Sequence, residues 1–337
     1  MKTIKQVIGI DISKDSFHAC LGYIDQTQTK GIIKQDVFLN NPKGFLELLK
    51  WKEKNKLPDV ALSFVVEATG VYYENLAYYL AEHKLSLSVL LPNKSKNFAR
   101  SLNIKTKTDK VDAAMLCHIG LERNLDFWLL PSVLMRQIKA LSRECKTLKV
   151  SAAKIKIRLH AYEHSYSPNK STLKRLHEQK KLLEKQIKQV EDEIRIMVQS
   201  DSELYERIQK IEKVKGLSLT TIITVISETN GFAGINNTKQ LTSYSGLDVT
   251  MNQSGLFKGK TRISKKGNSH IRTALYLPAM SAVRSNLRLK QFYEKIKETK
   301  MVGKIGIIAV ARKLLILIYT LWKNNVEYDP NLNVKLC

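Results

Sequence analysis

The chain has 337 residues, of which 43% are hydrophobic and 26% are charged, as is typical of a folded soluble protein. At this length the chain can form two domains, or one domain with large additions. Its charge is unusual, because 56 Lys and Arg residues against 31 Asp and Glu residues leave a net charge of +25. An excess of this size favours a polyanionic partner such as nucleic acid. The alternative explanation is an AT-biased genome, whose proteins are rich in lysine.

Three simple features argue against other classes of protein. The cysteines are scattered without a C-x-x-C pair, which argues against a zinc or redox motif and for a reducing compartment; they are Cys20, Cys117, Cys145 and Cys337. The N-terminal segment carries charge where a secretory signal would need an apolar run. The longest apolar stretch, 305–322, is interrupted by Arg312 and Lys313 and predicts a buried helix instead of a membrane span. We therefore expect a cytoplasmic protein.

Strand and helix patterns alternate in the first part of the chain. The β-prone runs Val7–Ile12 and Phe17–Tyr23 flank a polar turn, which predicts a hairpin, and Val37–Leu39 is a candidate third strand. Further apolar runs predict strands at 61–66 and 86–91, and helical spacing predicts helices that begin at Pro42, span 72–83, follow Pro92 and span 110–123. This alternation predicts a three-layer α/β domain with a buried central sheet, which we place at 1–128.

The middle of the chain has apolar residues spaced alternately by three and four positions. The pattern runs from Leu134 to Leu159 and, after a short break, from Leu173 to Ile211, with Lys180 and Asp201 at seam positions. Such heptads predict an antiparallel coiled-coil hairpin over 129–214, which would reach roughly 45–60 Å, could join subunits, and would have its register fixed by the polar seam residues. The alternative is a helical hairpin that folds onto its own domain.

The remaining segment, 215–337, predicts a mainly helical domain. The sequence Lys215-Gly-Leu-Ser-Leu-Thr-Thr221 before an apolar helix resembles the turn of a helix-hairpin-helix element, which binds a DNA backbone through main-chain N–H groups. A plain helix-turn-helix packing unit is an equal alternative. A loop rich in Gly and Lys and three helices follow, and no acidic residue occurs from Val249 to Tyr293, so we expect a phosphate-facing surface there.

Four acidic residues combine into a candidate metal site. Asp11 and Glu67 each end an apolar run, and a buried acid at a strand end is costly unless something pairs with it. Asp109 and Asp112 are three residues apart at the start of a helix, so they share one face and repel each other unless a cation lies between them. Oxygen ligands of this kind suit Mg²⁺ or Mn²⁺, and two such ions about 4 Å apart could activate an attacking oxygen and stabilise a leaving oxygen.

Each of these acids also has an ordinary structural explanation. Asp109 could cap its helix, and Asp11 could hold the hairpin turn. Taken singly, either acid favours that ordinary explanation. Only the combination of the four acids, at two strand ends and one helix start within a basic chain, favours a metal-dependent phosphodiester enzyme.

Three motifs carry a resemblance to a known family: Gly9-Ile-Asp-Ile-Ser-Lys14, Val66-Glu-Ala-Thr-Gly70 and Lys107-Thr-Asp-Lys-Val-Asp-Ala113. They resemble the Asp-Glu-Asp-Asp motifs of transposases of the "one-ten" and "eleven-eleven" insertion-sequence family, to which the Piv DNA invertases are related. The resemblance covers essentially the whole chain. It implies an RNase H-like (RuvC-like) N-terminal domain, a coiled-coil insertion and a C-terminal transposase domain. It also implies catalytic, metal-binding roles for Asp11, Glu67, Asp109 and Asp112.

A second signature of that family matches the C-terminal part of the chain. The segments Gly246-Leu-Asp-Val-Thr-Met-Asn-Gln-Ser-Gly255 and Gly259-Lys-Thr-Arg-Ile-Ser-Lys-Lys-Gly-Asn268 are similar to its Ser-Gly and Gly-Lys-x-Arg-Ile-x-Lys-x-Gly-Asn elements. Ser254 falls at the serine position, although the family often has Ser-Ser-Gly-Gly where this chain has Gln253-Ser-Gly-Leu256. The resemblance implies that Ser254 attacks the DNA phosphate to form a covalent link, in a composite site to which different subunits contribute.

The serine has alternatives of its own. Ser243 and Ser245 are nearby competitors, and Ser254 with Gly255 could simply form a loop turn. A serine hydroxyl is a poor nucleophile unless a base or metal takes its proton and cations stabilise the phosphorane. No His stands near Ser254 in the sequence, so we expect the neighbouring basic residues to stabilise charge.

The basic residues of two segments are candidates for nucleic-acid binding: Lys94, Lys96, Arg100, Lys105, Lys107, Lys258, Lys260, Arg262, Lys265, Lys266 and Arg272. The leading hypothesis is a transposase that cuts and rejoins donor and target DNA. The resemblance further implies guidance by a non-coding bridge RNA, and we expect a homo-oligomer, a dimer or a tetramer. The alternatives are a Piv-like invertase or a RuvC-type junction nuclease without an RNA guide, and a non-enzymatic architectural protein whose carboxylates are structural.

Overall fold

The computed structural model describes residues 2–103, 105–255, 257–259, 261–299 and 302–329. The chain forms two compact units, Met1–Leu130 and Pro131–Cys337, called here the first and the second unit. Lys260 and Cys337, both named above from the sequence, lie outside the described residues, as does the side chain of Lys258. The predicted division of the second unit into a hairpin and a C-terminal domain stays a prediction.

The first unit is built on a five-stranded mixed sheet. Its strands are β1 Thr3–Ile12, β2 Ser16–Asp25, β3 Lys30–Leu39, β4 Leu62–Glu67 and β5 Leu87–Leu90, in the order β3-β2-β1-β4-β5. The first three strands pair antiparallel through short turns, whereas β4 and β5 run parallel to β1 because a helical crossover precedes each of them. An antiparallel meander continued by parallel strands is the sheet of RNase H-like domains, so this part of the predicted fold class is confirmed.

Helices cover both faces of this sheet. They are α1 Pro42–Asn55, α2 Glu74–Glu82, α3 Pro92–Ser101 and α4 Asp109–Glu122. Successive side chains of a strand point to opposite faces. Ile8 of β1 therefore packs with Phe45 and Leu80 in one core layer, while Val7 packs with Phe98 and Cys117 in the other. The predicted three-layer arrangement is confirmed.

The third strand is longer than the sequence pattern predicts. β3 has ten residues that begin at Lys30, where the apolar pattern marked only 37–39. It lies at the edge of the sheet, and nearly all of its side chains are exposed or half-buried, so little apolar signal distinguishes it from a loop. Backbone pairing with β2 along its full length defines the strand instead.

The second unit is mainly helical. Its helices are α5 Val133–Glu163, α6 Lys170–Gln199, α7 Ser202–Glu212, α8 Leu219–Glu228, α9 Thr238–Ser245, α10 Ser269–Ser285, α11 Leu287–Thr299 and α12 Gly303–Asn324. Four short strands lie between α9 and α10: β6 Val249–Thr250 pairs with β9 Arg262–Ile263, and β7 Gln253–Ser254 pairs with β8 Phe257–Lys258. The three C-terminal helices are as predicted, whereas α9 and the four strands were not predicted.

Helices α5 and α6 form an antiparallel hairpin. Lys149 Nζ lies 2.6 Å from Glu191 Oε1, and Lys156 Nζ lies 3.2 Å from Glu184 Oε1. Higher residue numbers on α5 therefore pair with lower residue numbers on α6, as antiparallel helices require. Near the open end of the hairpin, buried residues such as Ile138 enter the core formed by the later helices. The helical hairpin is thus observed, while its description as a coiled coil that joins subunits stays a prediction.

The predicted second helix of this hairpin is too long. The apolar spacing continues to Ile211, but α6 ends at Gln199 and α7 begins at Ser202. Asp201, which was expected at a seam position, instead accepts a hydrogen bond from the Leu204 backbone N at 3.0 Å through its Oδ1. It is therefore the N-cap of α7, and a capping side chain of this kind starts a new helix wherever the chain can turn.

Helix α12 corresponds to the longest apolar stretch of the sequence. Among the described helices it is the one long and apolar enough to cross a membrane, with 56% of its most apolar window buried inside the protein. Val310, Leu314 and Ile318 lie in the core of the second unit at 0% exposure. The prediction of a buried helix is confirmed.

Candidate active site

Asp11 and Glu67 lie on adjacent strands and on the same face of the sheet. β1 and β4 pair in parallel, and each acid directly follows the last residue of its strand that takes part in the β1–β4 pairing. Gly9 faces α4 so closely that an added Cβ would lie 2.1 Å from the Cys117 backbone N. Side chains two positions apart on a strand point the same way, so Asp11 also faces the α4 layer. Val65 packs in that layer, which places Glu67 on the same face.

The first turn of α4 carries the other two acids. Thr108 is the N-cap, since its Oγ1 accepts a hydrogen bond from the Val111 backbone N at 3.3 Å. Asp109 is therefore not the capping residue, and the structural explanation offered for it does not apply. Asp109 and Asp112 both lie in the first helical turn, where the positive end of the helix dipole favours a negative charge.

A histidine that the sequence analysis missed lies beside these acids. The β1–β2 register places His18 opposite Asp11, and His18 Nδ1 lies 3.7 Å from Asp109 Oδ2. The hairpin turn itself is held by Ser13, whose Oγ donates to the Ser16 carbonyl oxygen at 2.7 Å, so Asp11 is not needed for the turn. Asp11 and His18 both lie inside the predicted strands, and pairing Ile12 with Phe17 across the predicted turn would have placed them opposite each other.

Glu67 is held in position by two hydroxyl groups. Ser95 Oγ of α3 donates to Glu67 Oε2, and Thr69 Oγ1 donates to Oε1 at 3.3 Å. Ser95 is 1% exposed, so the first of these hydrogen bonds is shielded from water. Because the two bonds use both carboxylate oxygens, they restrict the side chain to one orientation. The contact joins two distant segments, and nothing local in the sequence marks Ser95.

The pKa values of Asp11 and Asp112 are shifted by burial and by neighbouring charges. The pKa of Asp11 is raised to about 6, first by burial and then by the nearby charges of Asp112, Asp109 and Glu67, against the opposing effect of Lys107. Burial likewise raises the pKa of Asp112, with Lys107 opposing and the other two acids adding to the shift. Crowded like charges of this kind favour either protonation or a bound cation.

The acids match a hard cation in chemistry. Among the described residues, no group of three or more His, Cys, Asp or Glu side chains is arranged as a formed metal cage. The donor set of Asp11, Glu67, Asp109 and Asp112 consists of carboxylate oxygens alone, which is what Mg²⁺ and Mn²⁺ prefer. Their mutual repulsion is also what such a cation would relieve, so the residues fit the predicted metal by charge and ligand type.

Several predicted nucleic-acid residues of the first unit are exposed near this site in the sequence: Lys94, Lys96, Arg100, Lys105 and Lys107. Helix α3 buries Ser95 and Phe98 and leaves its basic side chains in solvent. The effect of Lys107 on Asp11 and Asp112 means that its charge lies close to the carboxylates. Their contact with nucleic acid stays a prediction.

Ser254 lies in the second unit, exposed, in the small hairpin that β7 forms with β8. The following Gly255 has φ +54°, a left-handed conformation that suits glycine at such a turn. The competitor Ser245 is 0% exposed and its Oγ donates to the Thr242 carbonyl oxygen at 2.9 Å, so it is withdrawn from any substrate. Ser243 is exposed and stays a competitor.

The base of the loop that carries Ser254 is clamped. Arg272 Nη1 donates to the carbonyl oxygens of Ser245 at 2.7 Å and of Gly267 at 2.9 Å, which ties the two ends of the loop together. The Asn268 backbone N adds a bond to the Tyr244 carbonyl oxygen at 2.8 Å. Arg272 was predicted to bind nucleic acid, and these bonds give it a structural task that the prediction did not include. The other predicted basic residues of this loop with described side chains are exposed: Arg262, Lys265 and Lys266.

A buried acid, Glu228 of α8, anchors the same loop and was missed by the sequence analysis. It is 2% exposed, and its carboxylate accepts hydrogen bonds from Arg143 Nε at 2.6 Å, Arg143 Nη2 at 2.9 Å and Asn268 Nδ2 at 2.8 Å. Its backbone oxygen accepts a bond from the Tyr244 hydroxyl at 2.7 Å. Burial opposes ionisation, but these bonds and the charge of Lys139 bring the pKa of Glu228 below its usual range.

Comparisons with known proteins agree along almost the whole chain. A transposase model named for the DEDD motif and IS110 matches residues 8–168, and a model described as "Transposase IS116/IS110/IS902 family" matches residues 208–294. The pilin gene-inverting proteins of Moraxella lacunata and Moraxella bovis are each 29% identical over 336 residues, covering 98% of this chain and 99% of theirs. A Thermus thermophilus RuvC structure with a Holliday junction substrate matches 36% of this chain and 99% of its own at 9% identity, with a TM-score of 0.28.

Proposed function

Since the chain belongs to the IS110 transposase family and is a DNA transposase or recombinase related to the pilin gene-inverting proteins, we propose that it cuts and rejoins DNA with a serine nucleophile assisted by four carboxylates. The observation that carries this proposal is the position of Asp11 and Glu67 on the sheet face that α4 covers, with Asp109 and Asp112 of α4 close enough to raise the pKa of Asp11. Acids that repel one another are retained at a site when a cationic substrate or cofactor compensates them.

The serine supplies the covalent step. Ser254 Oγ forms a bond to the DNA phosphorus while the bond from that phosphorus to the departing strand oxygen breaks; the hydroxyl proton is released and the departing oxygen takes up a proton. Exposure of Ser254 on a short hairpin supports this role, because the nucleophile must reach a phosphate in a wide substrate. The clamp formed by Arg272 and Glu228 at the loop base limits how far the hairpin can shift.

The carboxylates serve a divalent cation, Mg²⁺ or Mn²⁺. When bound, such a cation supplies charge stabilisation for the attacking and departing oxygens. Glu67, fixed by Ser95 and Thr69, keeps its oxygens oriented. The four carboxylates and Ser254 then form a composite site to which different subunits of a homo-oligomer contribute, joined by the α5–α6 hairpin as a coiled coil.

The basic surface binds polynucleotide. A net charge of +25 supports contact with many phosphates, and the exposed residues near the carboxylates and in the serine loop are the candidates for these contacts. We assign donor and target DNA to this surface, together with a guide RNA, in the cytoplasm. DNA inversion without a guide is the second candidate function, favoured by the full-length similarity to the pilin gene-inverting proteins.

A covalent-adduct assay tests the proposal. Purified protein is incubated with labelled DNA carrying the element's ends and Mg²⁺, and the denatured protein–DNA adduct is resolved on a gel. Ser254→Ala and Asp11→Ala each abolish the adduct and strand transfer but retain DNA binding. Ser243→Ala is the matched control and retains the adduct. Undiminished adduct from the Ser254 variant would remove the nucleophile from the proposal.

The guide is tested separately. Nucleic acid that co-purifies with the protein is sequenced after expression with the DNA that flanks its gene. A discrete structured RNA supports RNA guidance. Recovery of random cellular RNA, together with recombination by RNA-free protein, contradicts it and favours the unguided invertase.

A further inference from the structure

A cavity of about 570 Å³ lies in the second unit between α5, α8 and α10, and Ser254 is not among the residues that line it. Its volume is in the range that holds a small organic group or a short piece of a polymer. Apolar side chains of all three helices form much of its wall, among them Ile223 and Leu277. Hydroxyl groups line the rest, including those of Ser218, Thr220 and Thr273.

One side of the cavity is positively charged. Arg143, Lys146 and Lys149 of α5 line it one helical turn apart. Arg143 is bound to Glu228, and Lys149 forms an ion pair with Glu191 at 2.6 Å. Within the part of the chain that the structure describes, Lys146 has no such acidic partner. The cavity wall therefore carries a net positive charge that a bound anion would neutralise.

The start of α8 also lines the cavity. Gly216 has φ +99°, and an added Cβ would lie 2.8 Å from the Ala282 backbone, so the chain passes close to α10 before α8 begins. Ser218 caps α8, and no acidic residue lies in the first turn. The first N–H groups of this helix add positive potential at the cavity. The geometry is compatible with both alternatives expected for this segment, a helix-hairpin-helix turn and a packing unit.

A buried donor or acceptor in the cavity wall lacks a partner. Within the described residues, His270 Nδ1 is shielded from solvent and forms no hydrogen bond. Burial lowers the pKa of His270, and Arg143, Lys146 and Lys139 lower it further against the opposing charge of Glu228. The cations that surround this imidazole favour an anionic ligand in the cavity.

We propose that this cavity holds a backbone segment of a polynucleotide, with a phosphodiester beside Lys146 and the start of α8 and a sugar against Ile223 and Leu277. A phosphate alone would leave the apolar wall and most of the volume unfilled, whereas a sugar–phosphate segment uses both kinds of wall. Ser254 does not line the cavity, and the proposal requires only that the protein binds nucleic acid. The proposal assigns the positively charged wall of the cavity, formed by Arg143, Lys146 and Lys149 of α5, to substrate binding.

The experiment compares Lys146→Gln with Lys154→Gln, a matched control on the same helix that does not line the cavity. The affinity of the full-length protein for a labelled 20-bp duplex DNA and for a single-stranded RNA is measured at several salt concentrations. Loss of one phosphate contact reduces the slope of log K against log salt by about 0.9 for the duplex and about 0.7 for the single strand. It also lowers duplex affinity roughly fivefold at 0.15 M salt.

We expect this change for Lys146→Gln on at least one probe and none for Lys154→Gln. Ala153→Phe, which narrows the cavity without changing charge, weakens the same probe. Equal slopes for both lysine variants, or equal losses from both, overturn the proposal. Inorganic phosphate is a separate arm: if it stabilises wild type but not Lys146→Gln while the slopes stay equal, the cavity is a free-anion site and the polynucleotide assignment is wrong.

Two further readouts separate this site from the proposed chemistry. Lys146→Gln reduces the salt slope and shifts adduct formation to higher DNA concentrations, while Ser254→Ala keeps the salt slope and loses the adduct. Thermal unfolding of each variant is followed by circular dichroism. A Lys146→Gln protein that unfolds early is replaced by Ala153→Phe, whose affinity on the same probe then decides: undiminished affinity overturns the proposal.

Discussion

The Asp11 carboxyl of the first unit and the Glu228 carboxyl of the second are both withdrawn from water, yet their surroundings are opposite. Burial and three neighbouring acids raise the pKa of Asp11 to about 6. Burial also opposes ionisation of Glu228, but Arg143, Asn268 and Lys139 bring its pKa below the usual range. The protein therefore neutralises Glu228 with its own cations, whereas the charges around Asp11 are mainly negative.

This difference in surroundings is what we expect between an acid of the proposed active site, Asp11, and a structural acid, Glu228. An acid whose neighbours are like charges costs stability in the folded protein, and it is kept for a function that the cost makes possible. An acid fixed by a bidentate guanidinium and an amide holds segments together. Glu228 joins α5, α8 and the end of the serine loop in this way. Variants that remove the charge of Asp11 or of Glu228 test whether the two acids differ in role.

The largest expected effect is on strand transfer. Asp11→Asn removes a ligand charge from the carboxylate group and lowers the rate of strand transfer on the order of 10³-fold or more. Asp15→Asn, an exposed acid in the same hairpin turn, leaves the rate unchanged. Single-turnover assays with saturating DNA measure both. If Asp11→Asn retained the wild-type rate of strand transfer, the four acids would be structural, and the proposed difference in role between Asp11 and Glu228 would be wrong.

Removing the buried support has the next largest effect, on stability. Glu228→Ala leaves Arg143 and Asn268 without their acceptor and destabilises the second unit by about 2 to 4 kcal/mol. Urea unfolding read by hydrogen exchange in peptides from α8 and α10 measures the loss. Glu206→Ala, an exposed acid of α7, is the control and changes stability little. An equal response of the two variants would contradict the anchoring role.

The sequence predicted those parts of the molecule whose signals are local. The β1–β2 hairpin, the helices that flank the sheet and the four acids follow from runs and spacings along the chain. β3 was mostly missed because its edge position leaves it polar. The end of α6 was missed because the apolar spacing continues through the turn that Asp201 caps. Periodicity reports which face is apolar, and it does not report where a backbone turns.

The residues missed around the sites share another property. His18, Ser95 and Glu228 each act through a partner distant in the chain, as when Ser95 binds Glu67 or Glu228 binds Arg143. Such contacts exist only after the elements have packed, so no single-sequence pattern marks them. The four acids were identifiable because each occupies a strand end or a helix start that is itself predictable. Arg272, predicted from charge alone, has its guanidinium Nη1 on two carbonyl oxygens.

A smaller expected effect is on the stability of the metal-free protein, where Asp11→Asn and Glu228→Ala should have opposite signs. Because the folded pKa of Asp11 is raised, its ionised form destabilises the fold, and Asp11→Asn stabilises the metal-free first unit at pH 7 by about 1 to 2 kcal/mol after allowance for solvent screening. The gain disappears towards pH 4, where wild-type Asp11 is protonated. Asp109→Asn, at a side chain 67% exposed, gains less. Thermal unfolding with and without Mn²⁺ measures this, and added Mn²⁺ reverses the order of Asp11→Asn and wild type.

The smallest effect is the opposite pH dependence of Glu228. Its folded pKa is lowered, so its contribution to stability is present above the ordinary glutamate pKa and is lost as pH falls through the folded value. The stability difference between wild type and Glu228→Gln is therefore constant from about pH 8 to 6 and shrinks below about pH 5. Urea titrations of both proteins across that range measure it. If this stability difference grew on acidification, Glu228 would be protonated in the folded protein and Arg143 would not neutralise it. The pKa of Glu228 would then be raised like that of Asp11, and the contrast between the two acids would be wrong.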